Sequence, residues 1–465
     1  MVNNTKSEHN ITFLSKNITE FLNVDYLNFS ISTVSERAIP SLCDGLKPGA
    51  RKILNAAFVG SLKDGKTYKM LSLVGDTMNK SLFSHGDASL IGTCCTLAKN
   101  FLNYYNPIEI EGQGGILRDP SAGAPRYLYI RKSKWADALY KIDYDLLKFV
   151  EEEGQVVEPE QYYPIVPNIL SNLTMGIANG YSFHSMSWNP LDVVKYCINV
   201  LNGNDKYTEQ TIKPYLKDIK SHNWRYVDGS WYCYGEWSFE PKKDVMVVTD
   251  LPADMTYIDF EKILNKLCES GYIKDYQNLS EDGKVLYRIY FPKKGLETEF
   301  RKDPEGERII SKLKLVKQVP NDLLWVLDEN SKLKYFDNRY ELAKYFVNWR
   351  LKIYEQRKSK LVSILENHYK ENSKLVKFIE LVCKGKLKIR NRSKNDIQLD
   401  MEAEDLPMTL IQTSMSKVTI EERDALLKEN EDIKKELDYI KNTTIKQMYI
   451  NDLNNLKKII EKDLK

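Results

Sequence analysis

Seven residues, Ser121-Ala-Gly-Ala-Pro-Arg-Tyr127, place a phenol directly after a guanidinium in a basic neighbourhood that continues through Arg131, Lys132 and Lys134. A phenol, with a pKa near 10, is a poor nucleophile at neutral pH. It becomes a competent one where fixed cations stabilise the negative charge that develops as it attacks. Arg suits a phosphodiester target, because its planar fork binds two phosphate oxygens at once. On these residues alone, an ordinary strand pair with one wet face is the better reading; the company the segment keeps is what favours chemistry.

The elements that must position this pair divide the chain into a helical first part, a mixed middle and a helical end. Between residues 18 and 140 the pattern is of helices joined by short turns. Pro48 starts an amphipathic stretch, Arg51-Lys-Ile-Leu-Asn-Ala-Ala-Phe58, and Asp87 reads as the N-cap of a helix with Leu90, Ile91, Cys94, Leu97, Ala98 and Phe101 on one face. A glycine loop, Glu111-Gly-Gln-Gly-Gly115, precedes the Arg126-Tyr127 pair and the alternating Leu128-Tyr-Ile-Arg131. Helices, a glycine loop and a short sheet predict a winged-helix-like DNA-binding domain. From about residue 155, Met246–Val248, Leu286–Phe291 and Leu323–Leu327 read as strands and Ile258–Gly271 as a helix. After Asp337 one helical stripe runs to about Val382. A second starts at Thr419, where Glu422 completes a capping box, and is expected to continue to the last residue. Two helices of about 45 residues, each about 70 Å long, predict an antiparallel coiled-coil arm with a small domain at its tip. An ordinary helical bundle has the same periodicity.

Composition narrows the function classes. A chain of 465 residues has room for two to four domains. Its 68 Lys and Arg stand against 65 Asp and Glu, so any polyanion site is a local patch. Seven cysteines without a C-x-x-C pair, and five histidines, argue against structural zinc and for a reducing compartment. The first residues lack the apolar core of a signal peptide and no run reaches transmembrane length, which predicts a soluble intracellular protein.

Five motifs in order resemble the cleavage subunit of type IIA DNA topoisomerases. They are Ile39-Pro-Ser-Leu-Cys-Asp-Gly-Leu-Lys-Pro-Gly-Ala-Arg-Lys-Ile-Leu54, Ser84-His-Gly-Asp87, Gly112-Gln-Gly114, Ala124-Pro-Arg-Tyr127, and the pair Glu158–Pro167 with Gly176-Ile-Ala-Asn-Gly180. The resemblance is dense to about residue 190, looser to Asn338 and only architectural beyond. It is most similar to the medium-subunit branch of T4-like bacteriophages, which implies a host-cytoplasm or nucleoid location. Only His85 carries over where the family often has two histidines. The chain as given has no room after the helices for the β-pinwheel of gyrase A subunits, so wrapping-driven supercoiling is not expected.

The resemblance implies an α+β multidomain fold: a winged-helix DNA-cleavage domain over 1–155, a tower over 156–330, coiled-coil arms over 331–384 and 419–465, and a small helical dimerisation gate over 385–418. It implies a transient double-strand break for strand passage, made when Tyr127 attacks a backbone phosphate. Arg126 would bind the non-bridging oxygens and His85 the scissile phosphate. Arg37, Lys47 and Arg51 would complete a cationic pocket, with Asp44 orienting one of them. Lys52, Arg131, Lys132 and Lys134 would contact backbone phosphates, and Ile177 would wedge between base pairs. A homodimer is implied, since a double-strand break needs two nucleophiles. Magnesium and ATP are implied as well, but no Glu plus Asp-x-Asp set and no GHKL-type ATPase domain is recognisable, so a TOPRIM- and ATPase-bearing partner would supply them and no metal ligand is expected in this chain.

Two rival readings compete. Gly60-Ser-Leu-Lys-Asp-Gly65-Lys66-Thr67 matches the Walker A pattern and Asp244–Asp250 could pass for a Walker B strand, the marks of a P-loop NTPase. A helix ahead of Gly60 argues against it, since a P-loop follows a buried strand. A non-enzymatic winged-helix and coiled-coil DNA scaffold would bind without covalent capture.

Overall fold

The computed structural model describes residues 17–83, 86–240, 243–281, 283–389, 392–414 and 418–464. They form two compact units, Met1–Val200 with Asn204–Phe346, and Leu201–Gly203 with Val347–Lys465.

The first unit opens on a helix over 18–38 whose start is capped by Asn17, its side chain accepting from the Thr19 amide. Its hydrogen bonding widens to the π pattern over Phe21–Tyr26 and Thr33–Ala38. Pro48 then begins helix α1 (Pro48–Ala56) at the first helical position, where a missing amide hydrogen costs nothing. Strand β1 (Tyr68–Lys69) leads into α2 (Met70–Lys80), followed by α3 (Asp87–Ala98), β2 (Ile108–Glu111) and β3 (Tyr129–Lys132). The three strands make an antiparallel sheet in the order β1-β3-β2, with Ile130 opposite both Tyr68 and Ile110. Ile53, Leu73, Val74, Leu90, Cys94, Leu128 and Ile130 share one core beneath it. The N-cap of α3 is Gly86 rather than Asp87, which is instead the first helical residue; its carboxylate suits the positive end of the helix dipole there. A two-stranded ribbon, β4 (Phe149–Glu152) with β5 (Gln155–Pro159), follows.

Three further sheets complete this unit. The hairpin β6 (Met175–Ala178) and β7 (Tyr181–His184) belongs to the first of them. The next sheet pairs β8 (Trp224–Val227) with β9 (Ser230–Tyr234), and the third begins with β10 (Glu236–Glu240) and β11 (Val245–Asp250). Strands β12 (Asp275–Asn278) and β13 (Tyr287–Tyr290) complete the third sheet in the order β10-β11-β13-β12, backed by the helix Tyr257–Glu269. Strand β14 (Val316–Gln318) adds to β9, while β15 (Leu323–Leu327) and β16 (Leu333–Phe336) join the hairpin in the order β16-β15-β7-β6. This arrangement removes the P-loop reading. Gly60 follows a helix, and β11, which ends at Asp250, lies between antiparallel neighbours rather than in the parallel sheet such a nucleotide site requires.

The helix Arg339–Cys383 begins in the first unit and continues through the second. Within the second unit its partner runs antiparallel. Tyr354 stacks on Tyr449, Arg357 bonds Asp452 at 2.6 Å, Glu366 pairs with Lys441 at 2.7 Å, and Ser373 meets Asn430 at 3.2 Å. The partner is not one helix to the last residue. It stops at Asn442 and restarts at Ile445, because Thr444 accepts a bond from the Gln447 amide and caps a new helix. Between residues 385 and 418, the helix Lys394–Ala403 and neighbouring turns bury Leu387, Ile397, Met401 and Leu406 against Phe378, Ile379 and Leu426.

Candidate functional site

Tyr127 is delivered by backbone geometry. The loop after β2 folds on itself: the Gly123 amide donates to the Gln113 carbonyl at 2.8 Å, and Ile116 and Asp119 exchange bonds of 2.8 and 3.1 Å. Gly115 has φ +90°, and a Cβ there would lie 2.8 Å from the Pro120 carbonyl, so only glycine fits. A single turn, Pro125–Tyr127, closes with the Tyr127 amide on the Ala124 carbonyl at 3.0 Å. Directly after it Leu128 and Ile130 are anchored in the core. Each anchor stabilises the strand by about 1.5–3 kcal/mol. The phenol itself is 70% exposed, and the Arg126 guanidinium lies 5.9 Å from its ring.

The segment 39–46 is an internal clasp. The Leu42 amide donates to the Leu327 carbonyl at 2.8 Å, and the Leu327 amide to the Pro40 carbonyl at 3.0 Å, joining the start of the motif to β15. Asp44 is wholly buried and accepts from the Leu46 amide (2.9 Å), the Tyr162 amide (3.0 Å) and both arms of Arg51 (2.7 and 3.3 Å). Arg51 also donates to the Leu46 carbonyl. Burial opposes its charge, but Asp44 outweighs that and raises its pKa. Arg51 therefore does not face an open cationic pocket; its fork is consumed inside the fold.

The remaining expected cations separate by their acidic neighbours. Lys52 is largely buried and pairs with Glu158 at 2.8 Å. Lys132 pairs with Asp64 at 2.8 Å, and Arg131 with Glu109 at 2.8 Å and Glu111 at 3.4 Å. Lys134 lies 4.9 Å from the Trp135 ring centre. Arg37, Lys47 and Arg126 have no acidic partner among the described residues. Arg37 and Arg126 are exposed, while Lys47 is half-buried at the N-cap of α1, which lowers its pKa. His85 lies outside the described residues.

Ile177 stands on the β6–β7 hairpin, turned by Asn179 and Gly180 at φ +42° and +88°. Positive φ at both central positions is the primed turn that matches strand twist. Ile177 is 73% exposed and Met175, two residues earlier on the same face, is 54% exposed. Between them Gly176 packs against the end of the first helix, where an added Cβ would run into the Ala38 carbonyl.

Three residues to which the sequence reading gives no individual role belong to this framework, Gly176 among them although it stands in the Gly176-Ile-Ala-Asn-Gly180 motif. Arg118, buried at the turn of the glycine loop, donates to Asp250 (2.7 Å) and to the carbonyls of Leu251, Pro252 and Met255 (2.5, 2.6 and 3.1 Å). It ties the loop carrying Tyr127 to the sheet of Asp250. Gly176 and Met175 are the others. The glycine spacing marks Gly176; nothing local marks Arg118, whose acid lies 132 residues away. Among the described residues no group of three or more His, Cys, Asp or Glu could hold a metal, so the chain's own side chains do not fit a magnesium site there. Among them, too, no helix is long and apolar enough to cross a membrane.

Comparison with known proteins agrees with this architecture. Residues 37–457 match the family model for the A subunit of DNA gyrase and topoisomerase IV. The mitochondrial DNA topoisomerase 2 of Dictyostelium discoideum is 28% identical over 487 positions, which cover 99% of this chain and 37% of that protein. DNA topoisomerase 2-beta of Homo sapiens is 29% identical over 389 positions, covering 81% and 23%. The crystal structure of the Plasmodium falciparum topoisomerase II DNA-binding, cleavage and re-ligation domain superposes with a TM-score of 0.83 at 25% identity, over 96% of this chain and 65% of that one. The chain thus spans little more than a third of the first of these relatives, and less of the second.

Proposed function

The chain belongs to the family of DNA gyrase and topoisomerase IV A subunits, and from that premise we propose that it is the cleavage and religation subunit of a type IIA DNA topoisomerase. The observation that carries the reading is the exposed Tyr127 phenol on a rigid turn beside Arg126, a guanidinium with no acidic partner among the described residues. In the reaction, the Tyr127 Oη attacks a backbone phosphorus and loses its proton. The 3′ oxygen of the broken strand leaves and takes up a proton, so a 5′-phosphotyrosyl ester and a free 3′-hydroxyl result. Reversal reseals the strand, because one ester has replaced another without loss of bond energy. Arg126 binds the non-bridging oxygens as charge builds on them, with Arg37 and Lys47 adding cations and His85 a hydrogen bond to the phosphate. Arg131 and Lys132 contact backbone phosphates only by exchanging their present acids, and Lys134 lies nearby. Ile177 wedges between base pairs and bends the duplex.

In this reading the sheet β1-β3-β2 with α1 to α3 serves as the winged-helix domain and residues 156–330 as the tower. The strand Leu333–Phe336 is added to the tower, because it pairs with β15 instead of starting the arm expected over 331–384. The helix Arg339–Cys383 and residues 419–464 serve as the coiled-coil arms, and 385–418 as the dimerisation gate of a homodimer. In the same reading a TOPRIM- and ATPase-bearing partner chain supplies the magnesium ligands and the ATPase.

The test is denaturation of a reaction containing duplex DNA, magnesium and the copurifying partner. Protein attached to 5′ ends, absent in Tyr127→Phe and reduced about a hundredfold or more in Arg126→Ala with DNA binding retained, is the expected result. Intact wild-type protein that binds DNA but is never captured would mean a scaffold instead.

A further inference from the structure

The loop that delivers Tyr127 is fixed at two ends. At its base the Gly123 amide closes on the Gln113 carbonyl, and Gly112 packs so tightly that a Cβ there would lie 3.3 Å from the Tyr127 carbonyl. At its apex the loop is bound to a different layer. Both terminal nitrogens of Arg118 donate twice, one to the carbonyls of Pro252 and Met255, the other to Asp250 and the Leu251 carbonyl. The fork thus fills the turn between β11 and the helix Tyr257–Glu269. The backbone returns the contact: the Tyr257 amide, which has no acceptor inside its own helix, donates to the Arg118 carbonyl at 2.9 Å. Asp250 is braced in turn by the Leu251 amide at 2.8 Å and the Asn223 side-chain amide at 3.2 Å. Lys99, just past α3, adds a tie to the Pro120 carbonyl at 2.8 Å.

We infer that Arg118 is a positioning residue for strand cleavage: it holds the loop apex on the sheet β10-β11-β13-β12 and so fixes where the Tyr127 oxygen stands relative to the phosphate. The inference rests on the proposed DNA-cleavage reading. Two features favour positioning over a general contribution to folding. The bonds of Arg118 cross to residues 250–257, so they join two layers rather than support an element of their own. Between Gly112 and Ala124 the loop has no helix or strand, so these few bonds set its shape. A displacement of about 1 Å at a reacting group can cost about a hundredfold in rate. Positioning acts on the barrier that cleavage and resealing share. Its loss slows both directions alike and leaves the equilibrium share of covalent complex unaltered. Loss of folded protein does the reverse, leaving fewer active molecules that each work at the wild-type rate.

The experiment uses the full chain with its copurifying partner, magnesium and an end-labelled duplex at saturating concentration. Rapid quenching into denaturant gives the rate and the plateau of covalent capture, and a jump to high salt gives the rate of resealing. Arg118→Met should slow both rates about ten- to a hundredfold, with the plateau per folded molecule and the KM for duplex nearly unchanged. Arg118→Lys keeps a charge for Asp250 but cannot span the fork's acceptors, and should slow both rates about threefold to tenfold. It decides the matter alone if Arg118→Met does not fold. Wild-type rates at a lower plateau in the variants that fold, or slowing of one direction only, overturns the positioning role and leaves the cleavage reading standing. Absence of covalent capture in the wild-type assembly is the separate result that removes the cleavage reading itself.

Discussion

Asp44 and Arg51 offer the sharpest test of whether the 39–54 motif is built for the fold or for the phosphate. Asp44→Ala removes a wholly buried carboxylate and four hydrogen bonds, leaving the Arg51 cation with only the Leu46 carbonyl. Breaking a buried pair from one side costs about 3–5 kcal/mol, because the surviving charge has lost its compensation. Ordinary domain stability is about 5–15 kcal/mol, so the loss should lower the urea midpoint strongly at unchanged slope. Arg51→Met costs less than Asp44→Ala, since Asp44 keeps two backbone amides. The double variant, Asp44→Asn with Arg51→Met, removes both charges and should be more stable than the sum of its parts by about 1–3 kcal/mol. Duplex affinity measured on whichever variants remain folded should change little. If Arg51→Met keeps its stability and loses DNA affinity instead, the clasp assignment is wrong and Arg51 contacts phosphate after all.

Further outcomes can be read from the same framework. Gly176→Ala drives a carbon well inside the ~3.3 Å at which carbon and carbonyl oxygen normally meet, here at Ala38. It should cost about 1–3 kcal/mol and reduce duplex bending as Ile177→Ala does, measured by thermal unfolding and end-to-end energy transfer. Arg118→Met removes the donor of three carbonyls and leaves the Asp250 carboxylate with only the Asn223 side-chain amide and the Leu251 N–H, and should cost about 2–4 kcal/mol, with faster proteolysis of the loop 111–124 as the local readout. Burial pushes the Cys94, Cys197 and Cys233 thiols up to about 12, so on the order of one in ten thousand is thiolate at pH 8. A disulfide reagent should therefore label exposed Cys383 first and these three only on unfolding; rapid labelling of Cys94 would mean that the core under β3 opens.

What the sequence discloses follows from the distance over which each interaction acts. The strand after Tyr127 is legible because burial alternates at every residue from Leu128 to Arg131, a local property of the pleat. Pro48 and the Asn179-Gly180 turn are legible for the same reason. The break after Asn442 is written in Thr444-Ile-Lys-Gln447, a second cap of the kind found at Thr419, but the continuing apolar stripe masks it. The partners of the cations are not legible. Lys132 and Asp64 are 68 residues apart, Lys52 and Glu158 are 106, and no periodicity relates them. Only the tertiary fold decides which charges meet.

That sorting bears on how such a site works with so little net charge. A cation already paired to an acid must trade one partner for another when a phosphate arrives, so its contribution to affinity is small. A cation without an acid makes its bond at the cost of desolvation alone and releases a counterion. Arg126 and Arg37 are of the second kind: Arg126 stands beside the nucleophile of the proposed mechanism, and Arg37 directly precedes Ala38, whose carbonyl lies against Gly176. The paired cations Lys52, Arg131 and Lys132 are of the first kind, and their acids hold the side chains in place before DNA binds. Affinity concentrated at the reacting bond and the bend, rather than spread along the duplex, favours distortion over tight uniform binding, which is what a strand that must be opened and resealed requires.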